Sequence, residues 1–368
     1  VSKIQVVVGG QFGSEGKGAI AGHLARVDEE SGFAVYGVRV AGPNAGHTVY
    51  GRCPWPLVCD NADCRDNPKS AVAFDSQMHP WKLRSIPVAA VTAPNSALII
   101  AAGSEIDPQV LDDETMALNA AGYDVSSRLY VDRSATVITD DHKDQEATRR
   151  LTAKIGSTGK GIGAARAERI WRQADLFGGR VDTGEILRSA LRQAGVTVQI
   201  EGTQGFGLGL HGEFYPHCTS SDARAIDFLA MAGISPWMSG VRGLDVWVVA
   251  RTYPIRVAGN SGELQDETSW ANLGLPAERT TVTNKVRRVG GWDVELVRKA
   301  IDANGGINSP SVHLAITMLD YIDSDAAGAT TWDRVTDVGR TWLREEVQEQ
   351  LGIMPSLLGT GPTTVVRT

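Results

Sequence analysis

The stretch Val6-Val-Val-Gly-Gly-Gln-Phe-Gly-Ser-Glu-Gly-Lys-Gly18 leaves this chain few folds to choose from. The apolar run Ile4 to Val8 reads as a buried strand, and Ala19 to Arg26 reads as a helix. Five glycines and one lysine lie between them. A buried strand that turns sharply into a helix is half of a βα unit, and such units build sheets with helices packed on their faces. The same turn has the chemistry of an anion site. Backbone N–H groups at a helix N-terminus are unpaired, glycine lets a phosphate approach them, and Lys17 adds a point charge. The spacing departs from the standard P-loop: Gly10 to Gly16 is one residue too long, and Gly18 stands where that motif needs Ser or Thr. An ordinary tight βα turn uses the same glycines, so this loop alone leaves phosphate binding and plain chain reversal both open.

The rest of the chain repeats the pattern. Apolar β-rich runs (Ala34–Val40, Ala97–Ile100, Val196–Ile200, Val246–Val249) alternate with helical stretches (Ala147–Lys154, Gly184–Gln193, Asp293–Ala303). The expected fold is α/β, with a large, mostly parallel central sheet flanked by helices. Residues 1–368 are expected to form one domain, with excursions from its core at about 51–74 and 332–351. A net charge of −7 argues against a surface that coats nucleic acid. No apolar run approaches the ~20 residues of a membrane span. The first residues enter a strand with no signal-peptide pattern, so a cytoplasmic location is expected, without nucleic-acid or membrane partners. Four cysteines are few for a disulfide framework. Three of them, Cys53, Cys59 and Cys64, share one Pro- and Asn-containing segment. They read either as reduced loop cysteines or as zinc ligands with a fourth such as His79, although their spacings are wider than the usual zinc pair.

A second strand-to-turn segment, Val38-Arg-Val-Ala-Gly-Pro-Asn-Ala-Gly-His-Thr-Val49, ends in a histidine. Together with the first loop it resembles adenylosuccinate synthetase, the ligase family that joins aspartate to a purine nucleotide. Further matches follow in family order. They are Trp81-Lys-Leu-Arg-Ser-Ile-Pro87, Ile155-Gly-Ser-Thr-Gly-Lys-Gly-Ile-Gly163, Glu201-Gly-Thr-Gln-Gly205, Tyr215-Pro-His-Cys-Thr-Ser-Ser221, Arg287-Arg-Val-Gly-Gly-Trp-Asp293, Thr317-Met-Leu-Asp320 and Gly359-Thr-Gly-Pro362. The resemblance covers nearly the whole chain.

It implies a two-step reaction. A nucleoside triphosphate phosphorylates the 6-oxygen of a purine monophosphate, and the aspartate amine then displaces that phosphate. Such chemistry rests on positioning and electrostatics. By resemblance, His47 stabilises the moving phosphoryl group. Gly13, Gly16, Lys17, Gly18, Gly46, His47 and Thr48 surround the triphosphate, with Asp320, Gly359 and Gly361 near its base. Lys17 also belongs to the catalytic set. The Gly46 carbonyl faces Mg²⁺, and Ser14 stands at the other metal-facing position. Asn44, Thr158, Gln204 and Thr219 hold the monophosphate nucleotide by hydroxyl and amide groups. Arg172, expected on a helix over Ala165 to Gln173, reaches into a partner's site, which implies a symmetric homodimer. Thr283, Lys285 and Arg287 belong to the aspartate-binding loop, where a guanidinium suits a carboxylate.

Three departures bear on the substrate. Ser14 replaces the family's aspartate, which removes the N1 proton of inosine monophosphate and touches Mg²⁺. A serine is no base near neutral pH, but it leaves room for the 2-amino group of guanine. The pattern is similar to the phage-type branch, 2-amino-2′-deoxyadenylosuccinate synthetase, which joins aspartate to dGMP on the route to 2-aminoadenine DNA. Lys285 replaces an arginine that contacts the ribose 2′-hydroxyl, as a deoxyribose substrate allows. Met318 replaces the lysine that covers the guanine of GTP, which shifts the expected donor to ATP or dATP, with GTP still open. The expected substrates are therefore dGMP, L-aspartate and one of these triphosphates, with Mg²⁺. The alternatives are IMP with GTP as substrates, or a nucleotide-binding regulator without turnover. Ser14 acting through a water, or Asp222 beside Thr219, is a candidate to take the guanine N1 proton.

Overall fold

The computed structural model describes residues 1–40, 42–52, 78–238, 240–280 and 285–368, apart from the side chain of Arg242. The expected excursion at 51–74 therefore lies almost wholly outside the described residues, as do Cys53, Cys59, Cys64 and Thr283.

A nine-stranded sheet runs through the middle. Its strands are β1 (Ser2–Gly9), β2 (Ala34–Arg39), β5 (Ala97–Ile100), β7 (Leu129–Val131), β9 (Val196–Glu201), β10 (Val241–Arg251), β13 (Val312–Thr317), β14 (Leu357–Gly359) and β15 (Val365–Arg367). Their spatial order is β15-β14-β13-β10-β1-β9-β2-β5-β7. Every pairing is parallel except β14 with β15 at one edge. A parallel sheet covered on both faces needs strands that are apolar on both sides. Accordingly Ile4, Val6 and Val8 enter one core cluster, with Leu187, Phe228 and Val297 from helices on that face. Val7 enters a second cluster with Ile20, Leu24 and Leu98.

Six short strands lie outside the sheet as pairs: β3 (His47–Arg52) with β4 (Met78–Leu83), β6 (Glu105–Ile106) with β8 (Thr136–Val137), and β11 (Ile255–Arg256) with β12 (Arg288–Val289). The helix α1 (Lys17–Glu30) follows β1 directly. Two expectations need correction. The helix expected over Ala147–Lys154 is two, Asp140–Thr148 and Leu151–Ile155, broken where Arg150 takes a left-handed φ of 55°. Arg172 is not inside a helix but caps the C-terminus of Ile162–Trp171, again left-handed. The 332–351 segment is helical, and Leu343, Val347 and Leu351 bury into the first core cluster.

Candidate active site

The carboxyl ends of β1, β2, β9, β10 and β13 converge where ligands bind in open α/β sheets. A cavity of about 820 Å³ opens there. Ser14, Lys17, His47, Gln204 and Arg287 are among its lining residues.

The first glycine turn is held by a buried carboxylate that the motif alone did not single out. Glu15 is fully buried and accepts from the N–H groups of Gln11 (3.2 Å) and Gly13 (2.7 Å). The N–H of Gly13, expected to cradle a phosphate, is therefore spent inside the turn, although Gly13 still lines the cavity. Lys17 Nζ donates to Glu15 Oε2 at 2.6 Å and to the Gln204 carbonyl at 2.5 Å. Thr317 Oγ1 donates to the Glu15 carbonyl at 2.6 Å, tying β13 to the same turn. Gly18 has a packing reason: a Cβ there would sit 2.6 Å from the Thr48 carbonyl oxygen. The serine or threonine of a standard P-loop cannot occupy this position. Ser14 is exposed at the cavity wall with φ 59°.

His47 opens β3 and is 5% exposed. Its Nδ1 lies 2.5 Å from Arg39 Nη1 and 2.9 Å from Glu201 Oε2. Arginine only donates, so a proton on Nδ1 makes the Glu201 contact a hydrogen bond and a bare Nδ1 makes the Arg39 contact one. Nε2 is buried and has no partner among the described residues. Burial, with repulsion from Arg39 and Lys17, holds the imidazole well below its ordinary pKa. Burial pushes Glu201 up to about 7, against the pull of Arg39, whose Nη1 donates to it at 3.2 Å. Arg39 also donates to the Ala45 carbonyl at 2.7 Å, which fixes the turn carrying Asn44 and Gly46. Arg39 and Glu201 were missed as site residues. Their signal was a charged residue ending an otherwise apolar strand.

At the opposite wall, the backbone pairs Arg287 N with Glu278 O and Thr280 N with Lys285 O, closing the base of the 281–284 loop. Thr158 follows Leu151–Ile155 in a turn that Glu146 braces by accepting from Gly161 N and Gly163 N. Thr219 lines an adjoining cavity of about 630 Å³ that shares Asn44, Thr158 and Gln204 with the first. Gly16, Gly18, Gly46, Thr48 and Lys285 all line the main cavity. Asp320, Gly359 and Gly361 follow or end β13 and β14 on the same edge, but none lines it. Arg172 is also outside it. Asp222 is engaged elsewhere, with its Oδ2 2.8 Å from His211 Nδ1, and it does not line the cavity. Arg150 lines the cavity, and nothing in the chain's pattern singles it out.

The described residues contain no group of three His, Cys, Asp or Glu side chains that could hold a metal. Mg²⁺ needs less: one or two protein oxygens beside substrate phosphates suffice. The Ser14 hydroxyl and Gly46 carbonyl are hard oxygen donors on the same cavity, so the residues present fit that cation. Among the described residues, no helix is long and apolar enough to cross a membrane.

The family model for adenylosuccinate synthetase matches residues 70–179 and 175–327. The adenylosuccinate synthetase of Methanococcus maripaludis is 34% identical over 371 residues, covering 97% of this chain and 96% of its own. That of Pyrococcus horikoshii is 34% identical over 366 residues, covering 97% and 95%. Among solved structures, the cyanophage S-2L succinoaminodeoxyadenylate synthetase, bound to dGMP and to dATP as energy donor, superposes with a TM-score of 0.74. It is 27% identical and covers 100% of this chain and 96% of that one. The fully ligated adenylosuccinate synthetase of Plasmodium falciparum has a TM-score of 0.77 at 17% identity, a likeness of fold over 100% of both chains. With its glycine turn, buried histidine and parallel sheet in place, the chain belongs to the adenylosuccinate synthetase family, the C–N ligases that use aspartate and a purine nucleotide.

Proposed function

We propose that the protein joins L-aspartate to C6 of dGMP with ATP or dATP as phosphate donor, giving 2-amino-2′-deoxyadenylosuccinate, the nucleoside diphosphate and phosphate. One observation carries the choice of dGMP. Among the described residues lining the main cavity, the only carboxylate is Glu15, and Lys17 holds it inside the turn. Ser14 stands where a free carboxylate would otherwise face N1 and C2 of the purine. The likeness to the cyanophage enzyme supports the same reading. The curated relatives at 34% identity bear the other name, so IMP with GTP is the competing assignment.

In this reading Asn44, Gln204, Thr158 and Thr219 hold the monophosphate nucleotide. Gly16, Lys17, Gly18, Gly46 and Thr48 surround the triphosphate, with Asp320, Gly359 and Gly361 beyond. The guanine O6 attacks the γ-phosphorus as N1 loses its proton to water, and the diphosphate leaves. The aspartate amine, oriented by Arg287 with Lys285 and Thr283, then attacks C6, and phosphate departs with the former O6. The neutral His47 donates from Nε2 to the transferring phosphoryl group while its bare Nδ1 accepts from Arg39, whose charge Glu201 offsets. Mg²⁺, held by the Gly46 carbonyl and Ser14 hydroxyl, supplies charge neutralisation to the triphosphate when bound. Arg172 completes the site of a second copy in a cytoplasmic homodimer. Beside it Ile170 and Trp171 are exposed, as an interface would use them.

The test is a matrix of dGMP, GMP and IMP against ATP, dATP and GTP, scored by product mass. Product from dGMP with an adenine triphosphate is expected. Turnover of IMP with GTP alone overturns the substrate assignment, and no turnover of any pair favours a regulator. Ser14→Asp should lower kcat/KM for dGMP by roughly ten- to a few-hundredfold, the usual scale for one crowded contact. Unchanged dGMP turnover in that variant would remove the physical basis of the choice.

A further inference from the structure

One carboxylate gathers three groups from three separate parts of the chain. Glu278 accepts from Arg251, at 3.1 Å from Nη1 and by a shorter contact from Nη2. It accepts from Arg287 Nη1 at 3.3 Å and from the Tyr321 hydroxyl at 3.0 Å. Arg251 ends β10 and is completely buried. Its Nη1 also donates to the Ser14 carbonyl at 3.3 Å. Its backbone N–H and C=O both pair with the Gln11 side chain at 3.0 Å. Tyr321 belongs to the 3₁₀ turn Leu319–Tyr321 that follows Met318.

Two guanidiniums hydrogen-bond the same carboxylate, with Asp320 acting on Arg251 only through space, and among the described residues the buried Nε atoms of Arg251 and Arg287 have no partner. A buried donor without an acceptor is costly, and a guanidinium favours a second oxyanion in its plane. Arg287 lines the cavity, so its unpaired edge is where an incoming carboxylate can settle. Burial raises the Glu278 pKa, but Arg251 and Arg287 more than offset it and hold the carboxyl below its ordinary value, so it stays charged.

We propose that Glu278 is a positioning residue that aims Arg287 at an aspartate carboxylate and, through Arg251, fixes that aim relative to the turn carrying Ser14. The amino acid must reach the purine C6 that the Ser14 turn helps to place. The backbone pairs that join 278–280 to 285–287 set no such relation by themselves. The Arg251–Glu278–Arg287 chain does, because it runs from one binding element to the other through side chains with few rotamers left to them. The inference rests on the assignment of Arg287 to aspartate and is independent of whether the nucleotide is dGMP or IMP.

The experiment measures KM for L-aspartate and for the purine monophosphate, with kcat, in Glu278→Gln, Glu278→Asp and Arg287→Ala, using the monophosphate that turns over best. Glu278→Gln should raise the aspartate KM by ~10- to 100-fold, the scale for losing a charged orienting partner. The monophosphate KM should stay within about threefold. Glu278→Asp keeps the charge on a shorter arm and should recover part of the loss with the same selectivity. It decides the question if Glu278→Gln does not yield folded protein. A merely structural role predicts that both KM values rise together. That result, or an aspartate KM within about twofold of wild type in both variants, overturns the proposal. If Arg287→Ala also leaves the aspartate KM unchanged, the assignment of Arg287 itself has failed. If Arg287→Ala raises it and the Glu278 variants do not, only the role of Glu278 has.

Discussion

The two ends of the cavity are built on different principles. At the end proposed for phosphoryl transfer, Glu15 in the turn after β1, Lys17 at the start of α1, His47 at the start of β3, and Arg39 and Glu201 at the ends of β2 and β9 are all nearly or fully buried. Their charges are matched one against another before any substrate arrives. At the end proposed for the amino acid, Lys285 is exposed, residues 278–280 and 285–287 are joined by two backbone pairs, and Arg287 hydrogen-bonds one carboxylate. The contrast suits the two tasks proposed for these ends. Phosphoryl transfer needs dipoles fixed in advance, where reorganisation would add to the barrier. Capturing aspartate needs a wall that can admit a substrate and then close.

The comparison breaks first at His47. If the phosphoryl end acts by fixed electrostatics, His47→Ala should lower kcat by ~10²–10³ while monophosphate binding, followed by calorimetry, persists. A variant within about threefold of wild type would take the histidine out of the mechanism. Glu201→Gln sharpens the claim that His47 works through a buried partner. It should cost ~10- to 100-fold in kcat. It should also change the pH profile. Glu201 is raised to about 7 by burial, so as pH falls through that value it gains a proton and no longer offsets the Arg39 charge beside His47. The wild-type kcat/KM should therefore fall on the acid side of about 7, and the Gln variant should lack that limb. The smallest effect is expected at Arg172, which neither end of the cavity contains. Arg172→Ala should weaken monophosphate binding about tenfold. Mixing it with His47→Ala should restore partial activity in hybrid dimers, and a fully active monomer in sedimentation would refute the shared site.

What the sequence made legible was local. The β1 turn, the strands near 34, 97, 196 and 246, and the helices near 184 and 294 show in hydrophobic pattern and glycine placement, and the structure has them. The break at Arg150 does not show, because the helical periodicity continues through a residue that has left the helical conformation. The β3–β4 pair is likewise hidden, since its partners approach through a long intervening segment. The site divides the same way. Lys17, His47 and Arg287 lie in short motifs. Arg39 and Glu201 meet across 162 positions, and Arg251 meets Glu278 only after β10 and a long excursion come back together. Which charge a buried residue opposes is a property of topology, and no window along the chain contains it.

The left-handed backbone at Ser14 carries an evolutionary consequence. Most side chains are strained at φ near 60°, but short polar ones such as asparagine and aspartate tolerate it. Exchange between serine and aspartate at this turn therefore asks little of the backbone, whereas a β-branched residue would distort the turn that Glu15 and Lys17 hold. The fold therefore tolerates either residue at position 14 without an unfolded intermediate. If the proposed role of Ser14 holds, the residue that faces the purine can change while the turn packed on Glu15 and Lys17 stays as it is.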